Sequence, residues 1–332
     1  MRSTVVAYTG GRTFLLLMKP VRFYLFLCLL AFVSCGKDSE DTGGGEGIVN
    51  RNANVVTTQK EVARLEFPRI AQEGNNLVIV HKTRDTYDPD GVNYSMEWDC
   101  DKKSHRWVCY QMHKYGGSTV KRSDAWAEDP DIPSYARFSD TNSMYSGSGF
   151  TRGHICASAD RLYSYTANAQ TFYYSNMQPQ FYNFNGGNNY DGIWVRMENQ
   201  LRSWVATTGY DTIYVCKGGT IRDDQILAYV KPNVEGGLVV PKYFFMALLC
   251  KNSQGYKALG FWAEHNNMPG NDFWVTKFNK ESSQITLGDF VVNIRELENL
   301  TGIDFFCNLP DDIENSVETL GVDNIKRAWG LK

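Results

Sequence analysis

Apolar residues recur along this chain in several patterns, and each predicts a different element. Short runs rich in β-branched and aromatic residues predict strands at residues 76–83 (NLVIVHKT), 92–99 (VNYSMEWD), 106–113 (RWVCYQMH), 171–177 (TFYYSNM), 212–219 (TIYVCKGG), 243–251 (YFFMALLCK) and 256–265 (YKALGFWAEH). The polar stretch CDKKSH at 100–105 separates the second run from the third and predicts a hairpin. A helical period appears at 193–206 (IWVRMENQLRSWVA), where Ile193, Met197, Leu201 and Val205 recur every four residues on one face. Residues 291–302 begin extended and end as a short helix stopped at Gly302, and residues 311–329 read as one or two helices. Between 114 and 150, Gly, Ser, Asp and Pro are scattered without a period, and long irregular segments of this kind are often functional. Strands outnumber helices and no repeat or second composition regime appears. The expectation is one α+β domain over residues 76–332.

The first residues are patterned differently. In MKPVRFYLFLCLLAFVSC, residues 18–35, two basic residues (Lys19 and Arg22) precede an unbroken apolar run from Phe23 to Val33 and then Ser34-Cys35. That is the arrangement of a secretory signal over residues 1–34, with Met18 a candidate start. The run is shorter than the ~20 residues that span a bilayer. FVSC resembles a bacterial lipobox, with Phe32 where Leu is usual, which implies lipid attachment at Cys35; simple secretion is the alternative. The acidic, Gly-rich GKDSEDTGGGEG that follows cannot build a core, so residues 35–75 are expected to be a flexible tether. Acidic residues directly after such a cysteine also resemble the export signal of some surface lipoproteins. The expected location is therefore extracytoplasmic, lipid-anchored to a bacterial membrane, at the outer membrane or the cell surface.

Charge and cysteine usage narrow the function. The 332 residues carry a formal charge of −3, and loss of residues 1–34 would remove four basic residues and no acids, leaving 30 basic against 37 acidic. A stoichiometric nucleic-acid binder usually has a basic surplus. A local basic cleft that binds and releases nucleic acid is compatible with this balance. The six cysteines after residue 35 show no CxxC spacing, which argues against a zinc site. Cys100 and Cys109 flank the polar turn and are candidates for a cross-hairpin disulfide, with the overall connectivity left open.

The chemistry concentrates around residues 150–161, FTRGHICASADR. Hydrolysis of a phosphodiester needs a base that is neutral near pH 7, which imidazole provides. It also needs positive charge for the phosphoryl oxygens and the leaving oxygen. Arginine supplies this by its fork geometry, and Mg²⁺ can do so while needing only one or two protein oxygens. His154 is the base candidate, with Arg152 and Arg161 its cationic neighbours; Arg161 next to Asp160 is equally readable as a structural ion pair. The amide-rich block SNMQPQFYNFNGGNN then offers Asn176, Gln180, Asn183, Asn185, Asn188 and Asn189. Glu198 and Arg202 follow at i and i+4 on one helix face. The bland readings are an exposed helix pair for Glu198 and Arg202 and a turn-capping loop for the asparagines. His81, His105, His113 and His265 lack such neighbours and are read as structural.

RGHICASADR, TFYYSNMQPQ, FNGG and WVRMENQLRSW in this order, with VPKYFFMALL, KALGFWAEH and ELENLTGIDFFCNLPD downstream, resemble the DNA/RNA non-specific endonucleases of the ββα-metal (His-Me finger) class. The similarity runs from about residue 77 to 325. It implies a central, mostly antiparallel sheet with flanking helices. It further implies His154 as general base, Asn185 as the direct Mg²⁺ ligand at the head of the helix, and Glu198 as a ligand through water. Arg152 and Arg202 would meet the phosphate and leaving oxygen. Mn²⁺ or another divalent ion could replace Mg²⁺. KRSDAWAEDP resembles the family's Arg-containing segment and implies Arg122 as a substrate contact, beside Arg161. Two departures stand out: Thr151 occupies the place of the family's usual Asp, and NNYDG at 188–192 resembles an insertion, which keeps Asn183 and Asn189 as rival ligands. The expected partners are DNA and RNA through backbone phosphates, and a membrane through the anchor, with oligomeric state open. The rival reading is a surface lipoprotein that keeps the nuclease fold as a catalytically impaired binding module.

Overall fold

Strands with apolar residues at both parities need cover on both sides of their sheet. The computed structural model describes residues 49–114, 117–207, 212–253 and 255–332, and it provides that cover. In chain order the strands are β1 (Asn76–Lys82), β2 (Val92–Asp99), β3 (Ser104–His113), β4 (Thr151–His154), β5 (Met177–Gln180), β6 (Thr212–Gly219), β7 (Ile226–Val230), β8 (Leu238–Pro241), β9 (Tyr243–Asn252), β10 (Gly255–Glu264) and β11 (Val291–Val292). The α-helices are α1 (Thr141–Tyr145), α2 (Tyr165–Gln170), α3 (Tyr182–Asn185), α4 (Ile193–Thr207), α5 (Asp272–Phe278), α6 (Ile294–Thr301), α7 (Asp311–Glu318) and α8 (Val322–Trp329). Seven strands form one sheet in the order β1-β2-β3-β6-β9-β10-β11, and every neighbouring pair is antiparallel. Two small ribbons, β4-β5 and β7-β8, stand apart from it.

Strand alternation sorts the core into two layers. On one face Val108, Tyr110, Met112, Ile213, Val215, Phe244, Met246 and Leu248 meet Ile193, Met197, Leu201 and Val205 of α4. On the other face Trp107, Cys109, Cys216, Phe245, Ala247 and Leu249 meet Phe67, Leu297 of α6 and Val317 of α7. α6 starts at Asn293, whose side chain accepts from the Glu296 amide at 2.7 Å, and stops at Gly302 in the left-handed region (φ 70°). The far end of α4 is held by α8: the Trp204 indole donates to the Trp329 carbonyl at 3.0 Å.

Three expectations are corrected. The tether does not reach residue 75. Phe67 is fully buried, and residues 50–54 form a strap tied by side-chain amides to the C-terminal loop, with Asn50 donating to the Leu309 carbonyl at 2.7 Å and Asn54 to the Pro68 carbonyl at 2.9 Å. Cys100 and Cys109 do not pair. Cys109 lies further along β3, opposite Ser95, and all six cysteines among the described residues are buried free thiols. The strand expected at 171–177 begins only at Met177, after a 3₁₀ turn over Tyr174–Asn176. The expected signal, Cys35 and the tether up to residue 48 lie outside the described residues.

Candidate active site

The FTRGH stretch becomes β4, and its partner β5 comes from MQPQ. Pairing sets Thr151 opposite Gln180, Arg152 opposite Pro179, Gly153 opposite Gln178 and His154 opposite Met177. Pro179 is tolerated because the ribbon has no third strand to receive its missing N–H. Gly153 is required by close approach: a Cβ there would sit 2.2 Å from the side-chain carbonyl carbon of Gln180. α4 then crosses the ribbon, and its Trp194 indole donates to the His154 carbonyl at 3.2 Å. Two strands and a helix thus converge on His154.

The His154 ring is walled by Phe172 (ring centroids 4.9 Å apart) and Trp126 (5.6 Å), both edge-on. The residue keeps some exposed surface, yet its Nε2 is buried and has no hydrogen-bond partner. Burial first, then the positive charges of Arg122 and Lys217, push its pKa down to about 3, against a backbone hydrogen bond with Arg152. The ring is therefore neutral at pH 7, and its unpartnered Nε2 is an open acceptor position. The two predicted arginines flank it through the aromatic walls. The Arg122 guanidinium lies 4.5 Å from the Phe172 ring centre and pairs with Asp124 at 2.8 Å. The Arg152 guanidinium lies 4.9 Å from the Trp126 ring centre and bonds Asn142.

Asn185 ends α3 rather than heading α4, which corrects its expected placement. Its Nδ2 donates to Thr151 Oγ1 at 3.0 Å, and Thr151 Oγ1 donates to the Gln180 carbonyl at 3.0 Å. The residue standing in place of the family's aspartate therefore orients the asparagine and leaves Oδ1 as a free acceptor. Of the rivals, Asn183 is committed to the Asn267 carbonyl at 2.7 Å and Asn189 is exposed. Asn188 accepts from the Tyr182 hydroxyl, and Asn176 brackets the Cys156 backbone, at 2.8 Å to its nitrogen and 2.9 Å to its oxygen. Gln180 is fully buried with both amide atoms unpartnered. Orphaned polar atoms of this kind mark where waters or a hydrated cation complete a site.

Glu198 and Arg202 do not pair along the helix. Glu198 Oε1 accepts from Lys217 Nζ at 2.8 Å, and Arg202 Nη1 bonds Asp160 Oδ1 at 2.7 Å. Burial pushes the Glu198 carboxyl above its ordinary value, against the attraction of Lys217 and Arg202. Burial also works to raise Asp160, but Arg202, Lys217 and Arg161 outweigh it and hold the carboxyl below its usual range. Arg161 is corrected as a substrate contact. It is 2 % exposed, donates to the Asn93 side chain at 2.7 Å and carbonyl at 2.8 Å, and lies 4.8 Å from the Tyr110 ring centre.

Sequence reasoning missed Lys217, Asp160, Trp126 and Phe172. A signal for Lys217 was present: it falls in parity with Ile213 and Val215, placing a lysine on a core-facing strand position. His265 ties β10 to the start of α3. Its Nε2 accepts from the Phe181 amide at 2.7 Å, fixing the start of α3, and Nδ1 meets the Pro241 carbonyl at 2.8 Å. His81 was left structural, but it sits between Asp129 (3.0 Å) and Asp131 (3.3 Å), a group that could hold a metal ion. Burial opposes its imidazolium, yet the two carboxylates prevail and raise its pKa.

A two-stranded ribbon carrying a neutral histidine, with a helix packed on it, is the arrangement of the ββα-metal class of nuclease. A solved structure of EndoG in complex with its inhibitor EndoGI shares the fold, with TM-score 0.53 and 20 % identity over 76 % of this chain and 94 % of that one. The family model for DNA/RNA non-specific endonucleases matches residues 80–312, and the chain belongs to that family. It is 30 % identical to a nuclease of Nostoc sp. over 73 % of this chain and 81 % of that protein. It is 30 % identical to mitochondrial endonuclease G of Bos taurus over 66 % and 68 %. With mitochondrial nuclease EXOG of Xenopus laevis it shares 30 % identity over 67 % of this chain but only 58 % of that protein.

Proposed function

We propose that this chain is a metal-dependent endonuclease that hydrolyses phosphodiester bonds of DNA and RNA with little sequence preference. We further propose that it is held outside the cytoplasm by lipid on Cys35. The observation that carries the catalytic part is the unpartnered Nε2 of a neutral His154 where β4, β5 and α4 converge. His154 takes a proton from the attacking water as the phosphorus is approached in line. Arg122 and Arg152, stacked on the walls of the same ring, bring positive charge to the phosphate oxygens. Arg202 acts less directly than expected, since its pairing with Asp160 positions α4. The free oxygen of Asn185 and, through water, Glu198 would hold a divalent cation, Mg²⁺ in this proposal with Mn²⁺ an alternative. Such an ion supplies electrostatic stabilisation of the developing phosphoryl and leaving-oxygen charge. The signal-like pattern and FVSC support the anchor. Contact through phosphates implies that substrate binding weakens as salt rises.

The test is cleavage of supercoiled plasmid and structured RNA with Mg²⁺, with chelator, and by a folded His154→Ala variant. Degradation that requires both metal and His154 supports the proposal. A folded wild-type protein inert across several divalent metals would leave the binding-module reading in its place. Radiolabelled palmitate incorporation, lost in Cys35→Ser, tests the anchor separately.

A further inference from the structure

On the sheet face away from His154, the loop between α6 and α7 gathers carboxylates. Glu298 lies on α6, Asp304 follows Gly302, and Glu314 and Glu318 lie on one face of α7. One oxygen each from Glu298, Asp304 and Glu318 lie within 4.8 Å of one another. Glu314 joins them through Asn52, whose Nδ2 donates to Glu314 Oε1 at 2.8 Å and to Asp304 Oδ2 at 3.2 Å. Direct positive charge comes from Arg295, at 2.6 Å from Glu318 and 3.3 Å from Glu298. The Arg69 guanidinium donates to the Asn52 and Ala53 carbonyls, and its charge also reaches Asp304. Four carboxylates share two guanidiniums, Arg295 in direct contact and Arg69 acting on Asp304, whereas around Glu198 each acid has its own cation.

An acidic cluster alone would not identify a ligand, but one further atom does. Glu318 is 1 % exposed, and its Oε1 is a buried atom without a hydrogen-bond partner, on the carboxylate that belongs to the cluster. Desolvated oxygens of this kind are costly unless something supplies positive charge or a proton. The donors are all oxygens, carried on two helices and the loop between them. They outnumber the one or two protein groups that Mg²⁺ usually takes, and no sulfur or imidazole is offered that would favour zinc.

We propose that Glu298, Asp304, Glu314 and Glu318 form a calcium site that staples the N-terminal strap to the α6–α7 loop, separate from the catalytic centre. The ion neutralises the surplus charge and fixes Asn52, at the point where the chain enters the folded body. It stabilises the protein and takes no part in phosphodiester hydrolysis.

The test uses the full chain in detergent, stripped with chelator and titrated with Ca²⁺ by calorimetry, alongside its thermal unfolding midpoint. The expected result is saturable binding of one Ca²⁺ per chain with an upward shift of the midpoint. Both should persist in Asn185→Ala and vanish in Glu318→Gln, while plasmid cleavage by Glu318→Gln in Mg²⁺ stays at the wild-type rate. If Glu318→Gln does not fold, Asp304→Asn provides the same comparison. Calcium binding that disappears in Asn185→Ala but survives in Glu318→Gln would overturn the proposal, because the ion would then belong to the catalytic centre. Absence of any midpoint shift in the wild type would also overturn it, and would leave a proton shared between Glu298 and Glu318 as the occupant.

Discussion

The two faces of the seven-stranded sheet handle buried charge in opposite ways. Under α4, each acid meets a dedicated cation: Glu198 with Lys217, Asp160 with Arg202. Under α6 and α7, Glu298, Asp304, Glu314 and Glu318 share Arg295, and burial pushes Glu298 and Glu314 up to about 7 and Glu318 to about 9. The paired face holds a helix beside His154, and the charge of Lys217 that still reaches the ring favours its neutral form. The crowded face stores repulsion that an added cation or proton relieves. Removal of a charge should therefore have opposite consequences on the two faces.

The largest expected effect lies on the paired face. His154→Ala should lower the rate of plasmid cleavage by roughly 10²–10⁴ while leaving the unfolding midpoint nearly unchanged. Lys217→Met strands Glu198 in a site where Lys217 itself is fully buried, so urea unfolding should show a loss of about 3–5 kcal/mol. Acid provides a third comparison. His105 and His265, both buried, are held down to about 4 in the folded protein, His105 by burial against bonds to Ser175 and Gln178, His265 by burial against its bond to Pro241. Between pH 6.5 and 4 the unfolded chain binds more protons than the folded one at these positions. Their contribution is complete above pH 6.5 and is lost as pH falls toward 4, by roughly 1.4 kcal/mol per unit for each group. Glu298, Glu314 and Glu318, whose pKa values are raised, contribute with the opposite sign over the same range, so the histidine contribution is read as the difference in urea midpoint between the wild type and His265→Gln from pH 7 to 4.5; a difference that stays constant would contradict the burial of that ring. Substituting Thr151 by Val keeps the shape but removes the hydroxyl that orients Asn185, and should weaken the Mg²⁺ dependence of cleavage by roughly 10-fold. The smallest effect, with reversed sign, belongs to the crowded face. Glu314→Gln retains the acceptor for Asn52 and removes a repelled charge, so in chelator it should stabilise the protein by on the order of 1 kcal/mol.

Legibility followed the range of the interactions. The long strands were readable because they are apolar at both parities or rich in β-formers, and α4 because Ile193, Met197, Leu201 and Val205 keep a clean period. His154, Arg152 and Asn185 share a short stretch of chain and a resemblance, so they could be named together. The strap was missed because amide side chains hold it: Asn50, Asn52 and Asn54 are polar, and their partners lie on residues 304–314 and within 62–68. Arg161 was misplaced for the same reason, since Asn93, which satisfies it, is 68 residues away. Arg202 and Glu198 have i,i+4 spacing, but a buried lysine from β6 and a buried aspartate near β4 outcompete the helix pair. No local pattern encodes that choice.

The strap also governs when the protein can be finished. Asn50, Arg51 and Asn52 take partners 259, 260 and 262 residues further along the chain. During synthesis residues 50–52 must wait for residues 304–314 to appear, and contacts this distant are among the slowest to form. The Trp204–Trp329 bond imposes the same delay on α4, which carries Glu198. A chain that has not yet presented residues 304–329 cannot close the body around its site, so maturation of the fold waits on that segment.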